Sequence, residues 1–144
     1  MDMKGLLTGT IVGGILMYGL GWLIWGTLFT EFFAANGGSA TGVSRDSGIL
    51  WAQIVGNLAL AALYTMAIIK TGATSIADGA KVGAITGFLV WLGVDFLHYA
   101  HSNISNLTAT LADPALELVR TAIVGAGIAM VLAKTAKSTA DYAP

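Results

Sequence analysis

The sequence contains no cysteine and only two prolines, and it has few charged residues. Without cysteine, the chain forms no disulfides and offers no thiolate metal sites, iron–sulfur ligands or thiol redox chemistry. Only 10% of its residues are charged, against about 25% in soluble domains. The seven basic residues are scattered, which argues against a nucleic-acid-binding surface. We therefore expect a single integral membrane domain over residues 1–144.

Long apolar runs take the place of that missing charge, and the chain is 56% hydrophobic. A helix needs about 20 mostly apolar residues to cross the hydrocarbon core, and four runs are long enough. They are Gly5–Phe29, Ile49–Thr71, Gly79–Tyr99 and Pro114–Ala133. The sequence thus predicts an all-α bundle of four transmembrane helices. Asp113 is expected to cap the fourth helix, with Pro114 as its first residue, and Asp78 to cap the third.

The basic residues predict the orientation in the membrane. With four spans, both ends of the chain lie on the same side as the connection between spans two and three. That side carries Lys4, Lys70, Lys81, Lys134 and Lys137. The opposite connections carry Arg45, with Arg120 just inside the fourth span. This asymmetry favours both termini in the cytoplasm.

Glycine recurs at every fourth position in two of the spans. The two ladders are Gly5, Gly9 and Gly13 in the first span and Gly79, Gly83 and Gly87 in the third. They align at an offset of 74 residues, and spans two and four align at an offset of 64, which indicates two similar helical hairpins in a parallel repeat. Because glycine lets backbones approach closely, we expect span one to pack on span three, or else a homodimer.

The residues that interrupt the apolar runs are the candidates for function, because charge is costly inside the membrane. They are Gln53, Asn57, Asp95, His98, Glu117 and Arg120, with Glu31 and His101 at the rim. The helical rise places all of them at one level in the outer leaflet, where a bundle can bring them to one point. We expect Arg120 to pair with Asp95 or Glu117, since an unpaired buried charge is rare.

The leading hypothesis is an outward-facing polar site for a proton, a cation or a small polar solute. Asp95 and Glu117 would carry charge there, and His98 would titrate near neutral pH. Arg120 would be the organising counter-charge, and the side-chain amides of Gln53 and Asn57 in span two would form hydrogen-bonding walls. The alternative is a non-catalytic accessory or structural subunit of a larger membrane assembly, which short loops and small-residue faces permit.

Metal binding and catalysis are less well supported by the sequence. The acceptable ligands for a divalent metal are Asp95, His98, His101, Glu31 and Glu117. The D-x-x-H-x-x-H spacing of the first three is no known zinc signature, and we expect no metal and no cofactor. The chain has no Gly-x-Ser-x-Gly elbow and no phosphate-binding loop. We therefore expect that it is not an enzyme.

Three segments carry a resemblance to a wider group of proteins. They are GTIVGG at residues 9–14, FFAAN at 32–36 and SNISNL at 102–107. With them, nearly the whole chain resembles small four-span integral membrane proteins common in Bacteroidetes-type bacteria. The resemblance implies a bacterial inner-membrane protein of four helices. That group has no known activity, so the resemblance implies no functional residues.

Overall fold

The computed structural model describes residues 3–73 and 75–140, with side chains up to residue 135. The described residues form helices and connections with no β-strand, which confirms the predicted all-α bundle. The helices are α1 (Met3–Leu23), which continues as a π-helical turn (Ile24–Leu28), α2 (Thr30–Ala35), α3 (Leu50–Thr71), α4 (Ile76–His101) and α5 (Leu107–Ala140).

Four helical stretches are long and apolar enough to cross a membrane. They are Met3–Leu28, Leu50–Thr71, Ile76–His101 and Leu107–Thr135. The chain is thus a multi-pass membrane protein by the length and composition of its helices. Each long helix packs against the one before or after it, and α1 also packs against α5, so the four spans follow one another around the bundle.

The start of α4 differs from the sequence prediction. Ser75, not Asp78, is the N-cap, and its side-chain oxygen accepts the backbone N–H of Asp78 at 3.0 Å. The Ser75 hydroxyl in turn donates to the Asp78 carboxylate at 2.6 Å. Both polar groups at this helix end are therefore satisfied by one another, as in a capping box.

The start of α5 also differs, and this correction changes the functional site. The helix begins at Leu107 and runs through Pro114, because the side chain of Asn106 accepts the N–H of Ala109 at 2.9 Å and caps the chain there. Asp113 is therefore not an N-cap. It lies within the helix, one turn before Glu117 and on the same face.

The glycine ladders pack inside the bundle, but not against each other as expected. All six glycines are buried. On α4, a Cβ at Gly83 would overlap the Thr121 carbonyl and lie 3.0 Å from the Cα of Gly125. On α1, a Cβ at Gly13 would lie 3.1 Å from Ala61 on α3 and 2.9 Å from Ile128 on α5. The α4 ladder thus faces α5, and the α1 ladder faces both α3 and α5.

We call the end of the bundle that carries the connections at residues 36–49 and 102–106 its outer end. The half of the bundle next to this end is more open, and the opposite, inner half is densely packed. The buried core consists of Met17, Tyr64, Ile68, Val124, Ile128 and Ala129. On α3, the buried residues all belong to the second half of the helix, and residues 50–59 are exposed except for the half-buried Asn57. Consequently, a cleft opens between the outer halves of α1 and α3.

The two outer connections are joined by an outer clasp, formed by residues 36–40 and 103–106. The backbone N–H of Gly38 donates across the clasp to the backbone carbonyl of Ile104 at 2.9 Å. The Asn106 side-chain amide donates to the Asn36 side-chain oxygen at 3.1 Å. The Asn106 backbone N–H also donates to the Asn36 backbone carbonyl. Because Asn106 also caps α5, the clasp links the π-helical end of the first span to the start of the fourth.

Replacing Gly38 with alanine is expected to loosen this clasp. A Cβ at Gly38 would overlap the backbone carbonyl of Asn103, which side-chain rotation cannot relieve. We expect a loss of about 1–3 kcal/mol in the free energy of unfolding, the usual cost of overpacking. Thermal unfolding in detergent measures it. Gly37→Ala is the matched control, since a Cβ there meets only ordinary contacts at 3.6 Å or more, and equal stability of both variants would contradict the clasp.

Candidate functional site

A buried ion pair stands at the centre of the outer half of the bundle. Arg120 Nη1 donates to Glu117 Oε1 at 2.6 Å, and both residues belong to α5. Arg120 is 6% exposed and Glu117 is 2% exposed, so the pair is shielded from solvent. Of the two partners expected for Arg120, Glu117 is the one to which it is hydrogen-bonded. In the low-dielectric interior, each charge of this pair is stabilised by the opposite charge of its partner.

The second guanidinium nitrogen connects α5 to two further spans. Arg120 Nη2 donates to the Asn57 side-chain oxygen at 3.0 Å and to the Met17 backbone carbonyl. The guanidinium also lies over the Trp25 ring, 5.1 Å from its centroid. Gly21 makes this approach possible, because a Cβ there would lie 2.9 Å from Nη2. One side chain thereby holds α1, α3 and α5 together.

The π-helical turn positions Trp25 between the arginine and a second acid. Trp25 lies in Ile24–Leu28, and its indole Nε1 donates to Asp113 Oδ1 at 2.6 Å. Such turns insert a residue into a helix and re-aim the side chains around it, and they are frequent at functional sites. Trp25 therefore contacts Arg120 with its ring face and Asp113 with its ring edge.

Two aspartates lie side by side at the interface of α4 and α5. Asp95 and Asp113 are within hydrogen-bonding reach of one another, and both line a pocket of about 220 Å³ near the outer end of the bundle, which we call the outward pocket. His98 lines the same pocket on its exposed side. Neither aspartate forms an ion pair with any residue between 3 and 135 whose side chain is described. Three carboxyl groups thus share this region with a single guanidinium.

The other polar residues open to the opposite side. Gln53, Asn57 and Arg120 line a separate cleft of about 400 Å³ between α1 and α3. Gln53 is exposed there, and Asn57 donates its side-chain amide to the Gln53 backbone carbonyl at 2.8 Å. The polar level therefore has two openings instead of one vestibule, and Trp25 and Arg120 lie between them.

Several buried polar atoms of the site have no hydrogen-bond partner among the described residues. They are Glu117 Oε2, Asp95 Oδ2, Arg120 Nε, Tyr64 OH and Trp91 Nε1. Tyr64 is fully buried and lies near both Glu117 and Trp91. Since buried polar groups are nearly always paired, the free carboxylate oxygens of Asp95 and Glu117 are suited to bind water, a proton or a small cation.

The rim residues expected from the sequence lie outside this constellation. Glu31 is exposed on α2, and His101 is exposed at the last residue of α4. Neither lines the outward pocket or the cleft. Across the described residues, no group of three or more histidine, aspartate or glutamate side chains is arranged to hold a metal ion.

Sequence reasoning missed three residues of the site. Asp113 was assigned to a helix cap, although its four-residue spacing from Glu117 places both on one helix face. Tyr64 stands in the middle of an apolar span, away from the interface where tyrosine is usually found, and that position was the available signal. Trp25 carried no such signal, because tryptophan near a span end reads as an interfacial anchor.

Comparison with known proteins adds nothing to these residues. No family model matches the chain, and neither a curated protein nor a solved structure matches it. The chemistry of the site therefore rests on its own geometry.

Proposed function

We propose that this protein binds a proton or a small cation between Asp95 and Asp113, as the outward-facing step of its transport across the membrane. The observation that carries the proposal is the pair itself: two adjacent carboxyl groups on the wall of the outward pocket, neither held in an ion pair with a described side chain. Two neighbouring carboxylates repel strongly in an apolar environment. A proton or cation held between them removes that repulsion.

The arginine does not fill this role, because its hydrogen bonds go elsewhere. Arg120 donates to Glu117, Asn57 and the Met17 carbonyl. Trp25 donates to only one oxygen of the pair, on Asp113, and Asp95 Oδ2 stays without a partner among the described residues. The pair thus has acceptor oxygens available to a positively charged ligand.

A route inward from the pair runs along one face of α5. Glu117 follows Asp113 by four residues, about 6 Å along the helix axis. Its Oε2 atom has no partner among the described residues, and Tyr64 lies beyond it. Further inward, the glycine contacts and the apolar core close the bundle. In the proposed transport cycle, this arrangement would be the outward-open, inward-closed state.

The orientation with both termini in the cytoplasm is supported by the described lysines. Lys4, Lys70, Lys81 and Lys134 all lie at the end of the bundle away from the pocket. Lysine is enriched on the cytoplasmic side of membrane proteins. The pocket with Asp95 and His98 would then face away from the cytoplasm.

Asp95→Asn is expected to weaken ion uptake by about tenfold or more, since a hydrogen bond to a charged group contributes about 1.5–3 kcal/mol. The assay is uptake into proteoliposomes under an imposed pH gradient, then under sodium and potassium gradients at constant pH. Asp113→Asn should behave alike. The matched control is Asp46→Asn, because Asp46 is exposed in the outer connection, away from the pair.

Two results would count against this function. One is a wild-type protein that moves neither protons nor alkali cations under any of these gradients. The other is an Asp95→Asn variant that transports as well as wild type and as well as Asp46→Asn. A loss that affects the sodium or potassium gradient but not the pH gradient identifies a metal cation as the ligand, and the reverse identifies the proton.

A further inference from the structure

Two depressions on the surface of α1 and α3 join into one groove, which we call the amphipathic groove. Its polar part is the cleft of about 400 Å³, and its apolar part has a volume of about 630 Å³. Tyr18 and Asn57 line both parts, so the groove is continuous. Other residues of the apolar part are Ile11, Ile15, Gly19, Ile54 and Leu58.

The groove has the length of one membrane leaflet. Along the first span it extends from Ile11 to Gly26, about 22 Å along the helix axis. One leaflet with its headgroup region is about 20–22 Å thick. On α1 the apolar part lies deeper and the polar part lies toward the outer end beside Trp22. On α3 the apolar part runs from Leu50 to Leu58, alongside the polar side chain of Gln53. A molecule with a polar head and an apolar chain would therefore match the groove in its natural orientation in the bilayer.

The charge at the polar end of the groove indicates which type of polar head the bound molecule would carry. Among the residues that line this part, Arg120 alone is charged, and its buried Nε atom has no partner among the described residues. Glu117 does not line the groove. The exposed amide of Gln53 and the indole of Trp22 add further N–H donors. A surface rich in donors and carrying a guanidinium is complementary to an anionic oxygen acceptor, above all a phosphate.

We propose that the amphipathic groove binds one anionic phospholipid of the outer leaflet, with its phosphate against Arg120 and Gln53 and one acyl chain along Ile11, Ile15 and Leu58. This site lies on the α1–α3 side of Arg120 and is separate from the Asp95–Asp113 pair. It goes beyond the transport function and does not depend on it. The lipid would pack against the outer half of α3, which is exposed.

Glycine supplies a matched pair of variants for the test. Gly19 lines the apolar part, and a Cβ there meets nothing within 4 Å, so Gly19→Leu fills the groove without disturbing the bundle. Gly93 is equally exposed and unobstructed on α4, outside the groove, so Gly93→Leu is the control. Native mass spectrometry then counts the lipids retained by the full-length protein after extraction from vesicles of equal phosphatidylglycerol and phosphatidylcholine.

Wild type and Gly93→Leu are expected to retain one phosphatidylglycerol each. Gly19→Leu should bind it about tenfold more weakly or worse, because each displaced acyl methylene weakens binding by about fourfold. Gln53→Leu should reduce the preference for phosphatidylglycerol over phosphatidylcholine. Ion uptake by Gly19→Leu in vesicles should remain near wild type, which separates this proposal from the transport function.

Three outcomes would overturn the proposal. Equal lipid retention by both leucine variants would place the lipid elsewhere. Equal retention of the two lipids by wild type would remove the role of the arginine in recognising an anionic head. A dimer that Gly19→Leu abolishes and Gly93→Leu preserves would make a second copy of the chain the occupant of the groove.

Discussion

Replacing Arg120 with alanine is expected to lower the free energy of unfolding by about 3–5 kcal/mol, the largest effect of any single polar substitution in this protein. The change leaves Glu117 as an uncompensated buried charge, since that residue is only 2% exposed. It also removes the bonds to Asn57 and to the Met17 carbonyl, which join α5 to α3 and α1. Reversible unfolding in mixed detergent, followed by tryptophan fluorescence, measures the loss.

A double-variant cycle separates the two contributions to this loss of stability, the unpaired charge of Glu117 and the lost packing of Arg120. Glu117→Gln in the Arg120→Ala background should recover part of the lost stability, because it removes the stranded charge. Arg45→Ala is the control for deleting an arginine, since Arg45 is exposed in the outer connection, and it should change stability by less than about 0.5 kcal/mol. Additive losses for the two substitutions at positions 117 and 120 would show that the side chains do not interact.

Replacing Gly83 with leucine is expected to separate α4 from α5 and to destabilise the bundle by about 1–3 kcal/mol or more. A Cβ at this position would overlap the Thr121 carbonyl and press on the Gly125 backbone, and neither can move without shifting a helix. Close backbone approach is what drives helix association in lipid, so the loss falls on the main contact between these two spans. The same unfolding assay measures it.

The control for this substitution is Gly93→Leu, which makes the identical chemical change ten residues further along α4. A Cβ there meets nothing within 4 Å, so stability should stay near that of wild type. A Gly83→Leu protein as stable as Gly93→Leu would mean that α4 and α5 pack less closely than the geometry indicates. Ion uptake gives a second readout, because a displaced α5 would also move Asp113 and Glu117.

The positions of the spans were predictable because each depends on a local property. Apolar length alone identifies a membrane helix, and four runs of the sequence have that length. The burial of the glycine ladders was likewise predictable, because a helix face of small residues allows close packing against another helix in lipid. The sequence did not predict which helix each ladder packs against. Gly13 packs on Ala61 and Ile128 instead of on span three. The duplication of the two hairpins stays a prediction.

The start of the fourth span shows how a local signal can mislead. An Asp-Pro dipeptide is a typical helix start, yet α5 begins at Leu107 and includes Pro114. The deciding residue is Asn106, which the outer clasp holds against Asn36, and which therefore caps the helix earlier. That contact joins residues 70 positions apart, so no local pattern reports it.

Hydropathy and spacing alone establish four spans and an all-α bundle, and they single out the polar residues that interrupt the spans. These features are local, because the bilayer acts on each segment through its length and polarity. The tertiary structure decided that Arg120 pairs with Glu117, that Asp113 belongs beside Asp95, and that the polar level opens on two sides. Those outcomes depend on how each helix is rotated and how far apart the axes lie, which packing between spans determines.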